Sequence, residues 1–271
     1  MKSKLSRFAV PYVVWMAIFV VAPIVIMVVY AFAGSEGGFT LDNFVQMGGY
    51  AAVFGRSFKL ALIATAICLL LGYPVAYLLS REGERFRRTA MVLIMLPMWM
   101  NFLLRTYAWM SILENHGFLN QILALVGIGP LHIINTDAAV ILGMVYNFLP
   151  FMVFPIYTSL SKLDPKLGEA AQDLGCNEFR TLLRVTMPLS IPGVISGITM
   201  VFMPSVTTFF IPRVLGGGNT QMFGDLIEST FLVAGNWNLG SALSLIMMIL
   251  ILISLSILRK ADPNGEGGGI V

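Results

Sequence analysis

The stretch EAAQDLGCNEFRTLLRVTMP, Glu169–Pro188, is a long polar segment that interrupts an otherwise largely apolar sequence. Between Lys162 and Arg184 the charges are balanced, with four acidic and four basic residues. A segment that lies on a lipid surface is typically dominated by basic residues, so a balanced one has little attraction for anionic lipid. The chemistry that these residue types support is salt bridging and apolar contact with another protein. A helix lying on the lipid surface is the alternative.

Local sequence signals predict the secondary structure of this stretch. Asp164 followed by Pro165 predicts a helix start, because the carboxylate can cap free backbone N–H groups and proline suits the first helical position. Gly175 predicts the end of that helix, since glycine adopts left-handed backbone geometry at low cost. Apolar residues at helical spacing predict one stripe: Leu163, Leu167, Ala170, Ala171 and Leu174. A second short helix is predicted from about Glu178 to Arg184. Because small residues let two backbones approach closely, the stretch is predicted to be a partner-binding elbow.

Composition indicates the kind of protein that carries this elbow. The chain has 271 residues, of which 57% are hydrophobic and only 11% charged, whereas soluble domains average about 25% charged residues. A hydrocarbon core about 30 Å thick needs roughly 20 apolar residues per helix. Six apolar segments meet this need: 8–33, 57–79, 89–113, 137–160, 190–212 and 239–258. The predicted fold class is an all-α polytopic membrane protein with about six transmembrane helices.

The basic residues predict the orientation of the chain. Lys2, Lys4 and Arg7 precede the first span as in a signal peptide. The apolar run after them is too long for one and lacks a small-residue cleavage site, so we expect a retained helix. With a cytoplasmic N-terminus, 13 of the 17 basic residues fall on the cytoplasmic side, where positive residues concentrate in membrane proteins. Both termini and the elbow are therefore predicted to be cytoplasmic.

Catalytic and metal-binding chemistry is not indicated. No cluster of His, Asp and Glu and no serine nucleophile set lies within the spans, and His116 and His132 share one external loop without metal-ligand spacing. Cys68 and Cys176 are too few and too differently placed for a disulfide frame or a metal site. The sequence has no GxxxxGKS/T phosphate loop, so the chain is not expected to hydrolyse ATP alone. An integral membrane enzyme is the alternative from another functional class.

A longer pattern within the elbow resembles the EAA loop of binding-protein-dependent ABC importer permeases. That loop has the pattern EAA, three residues, G, nine residues and I-x-L-P. Here Glu169–Ala171 is followed at the same spacing by Gly175 and Val185–Pro188, with Val185 and Met187 in place of Ile and Leu. The resemblance implies a type I ABC importer permease (MetI-like) fold, one transmembrane permease domain over residues 1–271, and a cytoplasmic coupling loop over residues 161–189. The implied ATPase-coupling residues are Leu167, Glu169, Ala170, Ala171, Asp173, Leu174, Gly175 and Pro188.

The resemblance also implies an assembly. Permeases of this family pass the opening and closing of an ATPase subunit to the membrane path through the EAA loop. The implied partners are two copies of that ATPase, a homologous second permease and an extracytoplasmic substrate-binding protein, in the lipid of a bacterial inner membrane. ATP and Mg would bind to the ATPase, so no cofactor or metal is expected in this chain, and no nucleic-acid partner is expected.

Stretches outside the elbow resemble PotB-type permeases of spermidine/putrescine importers. They include ALIATAICLLLGYPVAYLLS, LPMWMNFLLRTYAW and LGGGNTQMFGDLIESTF. The function that this resemblance implies is polyamine import by a permease subunit that is not itself an enzyme. Permeases for iron, thiamine, phosphonate or amino-acid derivatives share parts of these stretches and are the alternatives.

Aromatic, amide and charged side chains are candidates for a substrate path. A polyamine is a flexible polycation, and contacts between a cation and an aromatic ring are worth about 0.5–2 kcal/mol. The candidates are Trp99, Asn101, Arg105, Tyr107, Trp109, Tyr146, Asn147, Asp225 and Glu228. Tryptophan and tyrosine near span ends are also typical interfacial anchors. The charge of Arg105 would repel a polycation unless a carboxylate neutralises it, and the sequence does not identify that carboxylate.

Overall fold

The computed structural model describes residues 11–34, 38–127 and 129–260. Lys2, Lys4, Arg7 and the residues after 260 lie outside this part of the chain, so the predictions for the two termini do too. The helices in chain order are α1 (Pro11–Ala31), α2 (Asp42–Met47), α3 (Ala51–Arg81), α4 (Glu84–Trp99), α5 (Phe102–Leu113), α6 (Phe118–Leu125), α7 (Asp137–Ser161), α8 (Pro165–Asp173), α9 (Glu178–Leu189), α10 (Ile191–Thr207), α11 (Phe210–Leu215), α12 (Phe223–Leu232) and α13 (Trp237–Lys260).

Several of these helices are long and apolar enough to cross a membrane. Among the described residues they are α1, the segment Asp42–Arg81, α7 and the segment Trp237–Ile257. Two bent helix pairs, one starting with α4 and the other formed by α9 and α10, bring the number to six if each pair is one span. The predicted class, an all-α polytopic protein, is confirmed.

The third predicted span, 89–113, is not one continuous helix, which corrects the sequence prediction. α4 ends at Trp99 and α5 begins at Phe102, and the helix directions on the two sides of this break differ by 92°. Asn101 starts the new helix, because its Oδ1 accepts a hydrogen bond from the backbone N–H of Leu103 at 2.8 Å. One amide cap inside an apolar run hardly changes the hydropathy, so the pattern of the sequence does not reveal the break.

The fifth predicted span, 190–212, also differs from the structure. α10 runs only from Ile191 to Thr207, and after two non-helical residues the last three residues of the prediction belong to α11. At Ser190 the directions of α9 and α10 differ by 68°. The Oγ atom of Ser190 lies 3.0 Å from the hydroxyl oxygen of Tyr73 in α3. This buried hydrogen bond joins the bend between α9 and α10 to a neighbouring helix.

The chain forms two compact units, and the first comprises the described residues up to Ala52 together with Leu226–Ile253. One cluster of its buried apolar residues joins α1 and α13 and comprises Ala31, Ala242 and Leu245. The Nδ2 atom of Asn43 in α2 donates hydrogen bonds to the carbonyls of Ala31 and Ala33, each at 3.0 Å. Because the last carbonyls of a helix have no partner within it, this amide satisfies the C-terminal end of α1.

The second unit comprises Val53–Asp225 and the residues from Ser254. Its core lies among α3, α7 and α10 and includes Leu60, Ala64, Cys68, Met144, Met152, Ile156 and Val201. Glycines bring these helices close together: Gly193 lies against the α7 backbone, and Gly72 and Gly197 lie against Met152. Close backbone approach of this kind is typical of membrane helix pairs, where van der Waals packing replaces the hydrophobic effect.

Gly193→Ala is expected to destabilise the second unit. A Cβ atom at this position would lie 2.7 Å from the carbonyl oxygen of Pro155 and 3.2 Å from the Cα atom of Ile156, so the backbone would have to move. Overpacking of this kind typically costs about 1–3 kcal/mol, and we expect a lower midpoint of thermal unfolding in detergent. Gly55→Ala is the matched control, since no described residue lies within 4 Å of its Cβ position and alanine favours helix. An equal loss of stability in both variants would contradict the packing argument.

Candidate functional site

The first half of the elbow is a short helix with defined ends. Asp164 caps α8 by accepting a hydrogen bond from the backbone N–H of Lys166 at 3.0 Å. At the other end Gly175 has a φ of 86°, in the left-handed region that favours glycine. The N–H of Cys176 donates to the carbonyl of Ala171 at 3.0 Å, which gives the helix a Schellman end. The predicted helix start and the predicted glycine end are confirmed.

The second half of the elbow is α9. Asn177 caps it, with its Oδ1 accepting a hydrogen bond from the N–H of Arg180 at 2.8 Å. The helix continues through a wide turn at Leu182–Thr186 and ends at Leu189. The second short helix predicted from Glu178 is confirmed and is longer than expected. The elbow is therefore two helices joined by a corner at Gly175.

The predicted apolar stripe of α8 is not wholly available to a partner, which corrects the sequence interpretation. Ala171 is only 9% exposed, and Gly168, on the same helix, lies against Thr181 of α9. Leu174, in contrast, is 87% exposed, and Ala170 is exposed as well. Ala171 and Gly168 are used for packing inside the elbow, whereas sequence reasoning assigned Ala171 to the surface for a partner protein. The larger apolar residues remain outside.

The outer surface of the elbow is therefore apolar at several points. Four of its exposed large residues, which we call the elbow patch, are Leu167, Leu174, Phe179 and Leu183; Met187 and Leu189, near the end of α9, are exposed as well. Exposed carboxylates of Glu169 and Asp173 lie beside it in the sequence, and Gly175 and Pro188 are exposed too. Apolar side chains with charged neighbours are typical of a protein-binding surface. Of the predicted coupling residues, Ala171 is the one that the structure buries.

A cavity of about 330 Å³ lies behind α8. It is lined by Tyr77 and Arg81 of α3, by Leu163 before the elbow, and by Glu169 and Gln172 of α8, among others. The guanidinium of Arg81 lies over the ring of Tyr77, 5.0 Å from its centroid. This space lies between α3 and α8 and extends to Leu160, a residue of the core of the second unit.

The predicted path residues form two separate aromatic contacts. Trp109 of α5 and Tyr146 of α7 meet edge to face, with ring centroids 5.2 Å apart. Tyr107 packs edge to face against Phe210 of α11 at 5.7 Å. Phe210 was not among the predicted residues, although two consecutive phenylalanines near the end of the fifth apolar segment were a usable signal. Trp99, next to the break, is exposed.

The polar path candidates have different environments. Asn101 caps α5. Asn147 is 3% exposed; its Nδ2 donates to the carbonyl of Gly143 at 2.8 Å, while its Oδ1 is buried and has no partner among the described residues. Asp225 and Glu228 are half-buried on α12.

A buried cation stands apart from these candidates. Arg105 is 8% exposed, and its Nε is buried without a partner in the part of the chain that the structure describes. No carboxylate in the described part of the chain therefore pairs with Arg105.

Sequence reasoning missed an ion pair that joins three elements. Arg56 of α3 lies 2.5 Å from Asp137 at the start of α7 and donates to the carbonyl of Asn219 at 2.8 Å. The hydroxyl of Thr220 donates to the same carboxylate at 2.8 Å. The cap of α7 is Thr136, and the carboxylate of Asp137 is left for the ion pair. The ion pair connects the starts of α3 and α7 with the loop after α11.

We expect Asp137→Asn to lower the stability of the second unit by about 1 kcal/mol, because the pair is half-buried and solvent screens part of its energy. The measurement is the midpoint of thermal unfolding, compared with Arg56→Gln, the double variant and the exposed control Glu114→Gln. Because the two residues act as one pair, the double variant should lose less than the sum of the single losses. Strictly additive losses would show that the two side chains act independently.

Comparisons with known proteins extend over nearly the whole chain. The model of the family "Binding-protein-dependent transport system inner membrane component" matches residues 68–263. The spermidine/putrescine transport system permease protein PotB of Haemophilus influenzae is 37% identical over 258 residues, which cover 92% of this chain and 90% of that protein. A solved bacterial alginate ABC transporter, in complex with a pentasaccharide-bound periplasmic protein, is similar with a TM-score of 0.78 at 16% identity, over 98% of this chain and 96% of that chain. The MetNI methionine ABC transporter is similar with a TM-score of 0.60 at 16% identity, over 80% and 95%.

The structural similarity shows the fold, and the predicted type I ABC importer permease fold is confirmed. The sequence similarity goes further, because the matched residues include α7, the elbow and α10 as well as the C-terminal part of α3. Together they place the chain among multi-pass proteins of the inner membrane. The chain belongs to the family of inner membrane components of binding-protein-dependent transport systems.

Proposed function

We propose that this chain is the permease subunit of an ATP-driven importer that carries polyamines, such as spermidine and putrescine, across a bacterial inner membrane. The observation that carries this proposal is the 37% identity, over 92% of the chain, to a protein named for spermidine and putrescine transport. The similarity extends over 90% of that protein, so it includes the spans as well as the elbow. A shared solute class explains similarity in both regions, whereas a shared coupling mechanism explains only the elbow.

In this proposal the elbow couples the permease to an ATPase. The elbow patch docks into a groove of the ATPase subunit, and the cavity behind α8 gives the docked helix room to move. The corner at Gly175 joins α8 to α9, and α9 leads directly into α10. Motion of the ATPase can therefore be passed along the chain into the core of the second unit. ATP and Mg bind to the ATPase and not to this chain.

The complete transporter in this proposal contains several further chains. They are two copies of the ATPase, a homologous second permease and an extracytoplasmic substrate-binding protein; a periplasmic protein is present in the solved alginate transporter that shares this fold. Residues 1–271 form one permease domain with a coupling loop over residues 161–189. Both termini lie in the cytoplasm, on the side of the elbow.

The substrate path in this proposal is aromatic. Trp99, Tyr107, Trp109 and Tyr146 offer ring faces and edges along α4, α5 and α7, and such faces attract amines by cation–π contacts of about 0.5–2 kcal/mol each. Weak contacts suit conduction, because a site that binds tightly would hold the solute. Asp225 and Glu228 attract the polycation at the extracytoplasmic side, and the binding protein selects it.

Uptake of labelled polyamine tests this function. Cells that lack their own polyamine importers and express the complete transporter should accumulate labelled spermidine or putrescine, and unlabelled polyamine should compete with it. Thiamine, ferric ion and phosphonate serve as competitors that should have no effect. Accumulation of one of these solutes without accumulation of polyamine would assign the chain to another branch of the same family.

A further inference from the structure

The wide turn of α9, Leu182–Thr186, contains one residue more than a regular helical turn. The backbone N–H of Met187 donates to the carbonyl of Leu182, five residues earlier, whereas an α-helix joins residues four apart. Single wide turns of this kind are rare in proteins and occur frequently at functional sites. This one lies on the chain between the elbow corner at Gly175 and the start of α10.

Pro188 explains why this turn is wide. Proline has no backbone N–H, and in a regular helix its ring would clash with the carbonyl four residues earlier, which belongs to Arg184. A wider turn directly before the proline relieves this clash. The same arrangement occurs in α1, where Ala22 donates to the carbonyl of Ala17 directly before Pro23.

The two ends of the wide turn are held by different parts of the second unit. On the elbow side Thr181 is fully buried, and Gly168 of α8 lies against it. On the other side Ser190 is fully buried, and its Oγ lies 3.0 Å from the hydroxyl oxygen of Tyr73 in α3. A change within the turn would therefore move the elbow relative to α3.

The surroundings of the wide turn leave space for such a change. Val185 and Thr186 of the turn line the cavity of about 330 Å³, as do Leu189 at the end of α9 and Gln172 of α8. On the elbow side the Oγ1 atom of Thr181 is buried and has no hydrogen-bond partner among the described residues. Buried hydroxyl groups normally have a partner, so the hydrogen bonding of α9 is incomplete in this arrangement.

We propose that the wide turn is a joint that closes and reopens when the ATPase moves the elbow, and that Pro188 favours its open form. In the open form Met187 donates to the carbonyl of Leu182, and in the closed form it donates to that of Leu183. Closing removes one residue from the turn, which corresponds to about 1.5 Å along the helix axis and about 100° around it. The inference rests on the proposed function only for the ATPase that moves the elbow.

Pro188→Ala tests the joint, because alanine supplies the missing N–H and favours a regular helix. Spin labels are attached to Glu82→Cys, directly after α3, and to Lys166→Cys in α8, in a chain whose native cysteines are replaced by serine. Their distance is measured in the complete complex without nucleotide and with ATP in the absence of Mg²⁺. With the native proline we expect ATP to change this distance by at least about 1.5 Å, the rise of one residue. Pro188→Ala should show less than about half of that change, because its turn is closed in both conditions.

Hydrogen exchange over residues 182–190 reports on the turn without spin labels. In Pro188→Ala this exchange should be slower by at least about tenfold, because alanine is far more favourable than proline inside a helix. Pro74→Ala is the matched control, since α3 continues through Pro74 without a wide turn. This control should retain both the ATP-dependent change in distance and the exchange rate of the native chain.

Three results would overturn the joint. They are an undiminished ATP-dependent change in Pro188→Ala, the absence of any such change with the native proline, and unaltered hydrogen exchange in Pro188→Ala. Failure of the ATPase to co-purify with this chain would instead contradict the proposed function itself. None of these measurements adds a solute, so they remain decisive even if the transported solute is not a polyamine.

Discussion

Gly175→Leu is expected to lower polyamine uptake strongly while the complex still assembles. Gly175 has a φ of 86° and no described residue lies within 4 Å of its Cβ position, so the surface there is open to a partner. Leucine opposes the left-handed backbone by about 1–2 kcal/mol and places a bulky side chain where the ATPase is proposed to dock. Because 1.4 kcal/mol corresponds to tenfold, we expect uptake to fall by about tenfold or more.

Two controls separate the backbone effect from the docking effect. Asparagine adopts left-handed backbone geometry more readily than leucine does. Gly175→Asn should therefore retain more uptake than Gly175→Leu if the corner conformation is the main requirement. Gly235→Leu imposes the same strain elsewhere, because Gly235 has a φ of 63° and is equally open. Uptake by Gly175→Leu that equals uptake by Gly235→Leu would remove Gly175 from the coupling mechanism.

Leu174→Glu is expected to weaken the attachment of the ATPase subunit strongly. Leu174 is 87% exposed at the end of α8. Transfer of its apolar side chain from water into a groove of another protein would be favourable through the hydrophobic effect. Central apolar residues of an interface typically contribute about 2–4 kcal/mol, which corresponds to roughly 30- to 1,000-fold in dissociation constant. The measurement is the affinity of the detergent-solubilised permease pair for the purified ATPase.

Leu125→Glu is the matched control for this prediction. Leu125 is also 87% exposed and also lies at the end of a short helix, α6, but that helix is outside the elbow. ATPase affinity should therefore be unchanged in this variant. Equal weakening by both substitutions would indicate a general effect of an added charge on the permease rather than a docking surface at the elbow.

Much of the elbow could be predicted because its signals are local. The cap at Asp164 and the left-handed corner at Gly175 each depend on a few neighbouring residues, and both are present as predicted. The number of spans follows from segment length and hydropathy in the same way. The family could be recognised because its pattern lies within one stretch of 20 residues, Glu169–Pro188.

The features that sequence reasoning missed depend on contacts between distant residues. Ala171 faces inward because α9 folds back against α8, and helical spacing alone does not say which of two adjacent alanines faces a neighbour. Arg56 and Asp137 are 81 residues apart, so no local pattern pairs them. The break at Asn101 was missed because its neighbours are apolar and its amide acts as a helix cap. These features therefore come from tertiary packing and backbone geometry.

ATP hydrolysis by the complete complex in lipid nanodiscs tests the central claim most directly. The complex contains this chain, the second permease and the ATPase, and the substrate-binding protein is added either empty or loaded with spermidine. We expect spermidine-loaded binding protein to raise the ATPase rate, and we expect Gly175→Leu to abolish this stimulation without lowering the basal rate. Binding protein loaded with thiamine or ferric ion should have no effect. A well-assembled complex whose ATPase rate does not respond to the spermidine-loaded binding protein would contradict the account.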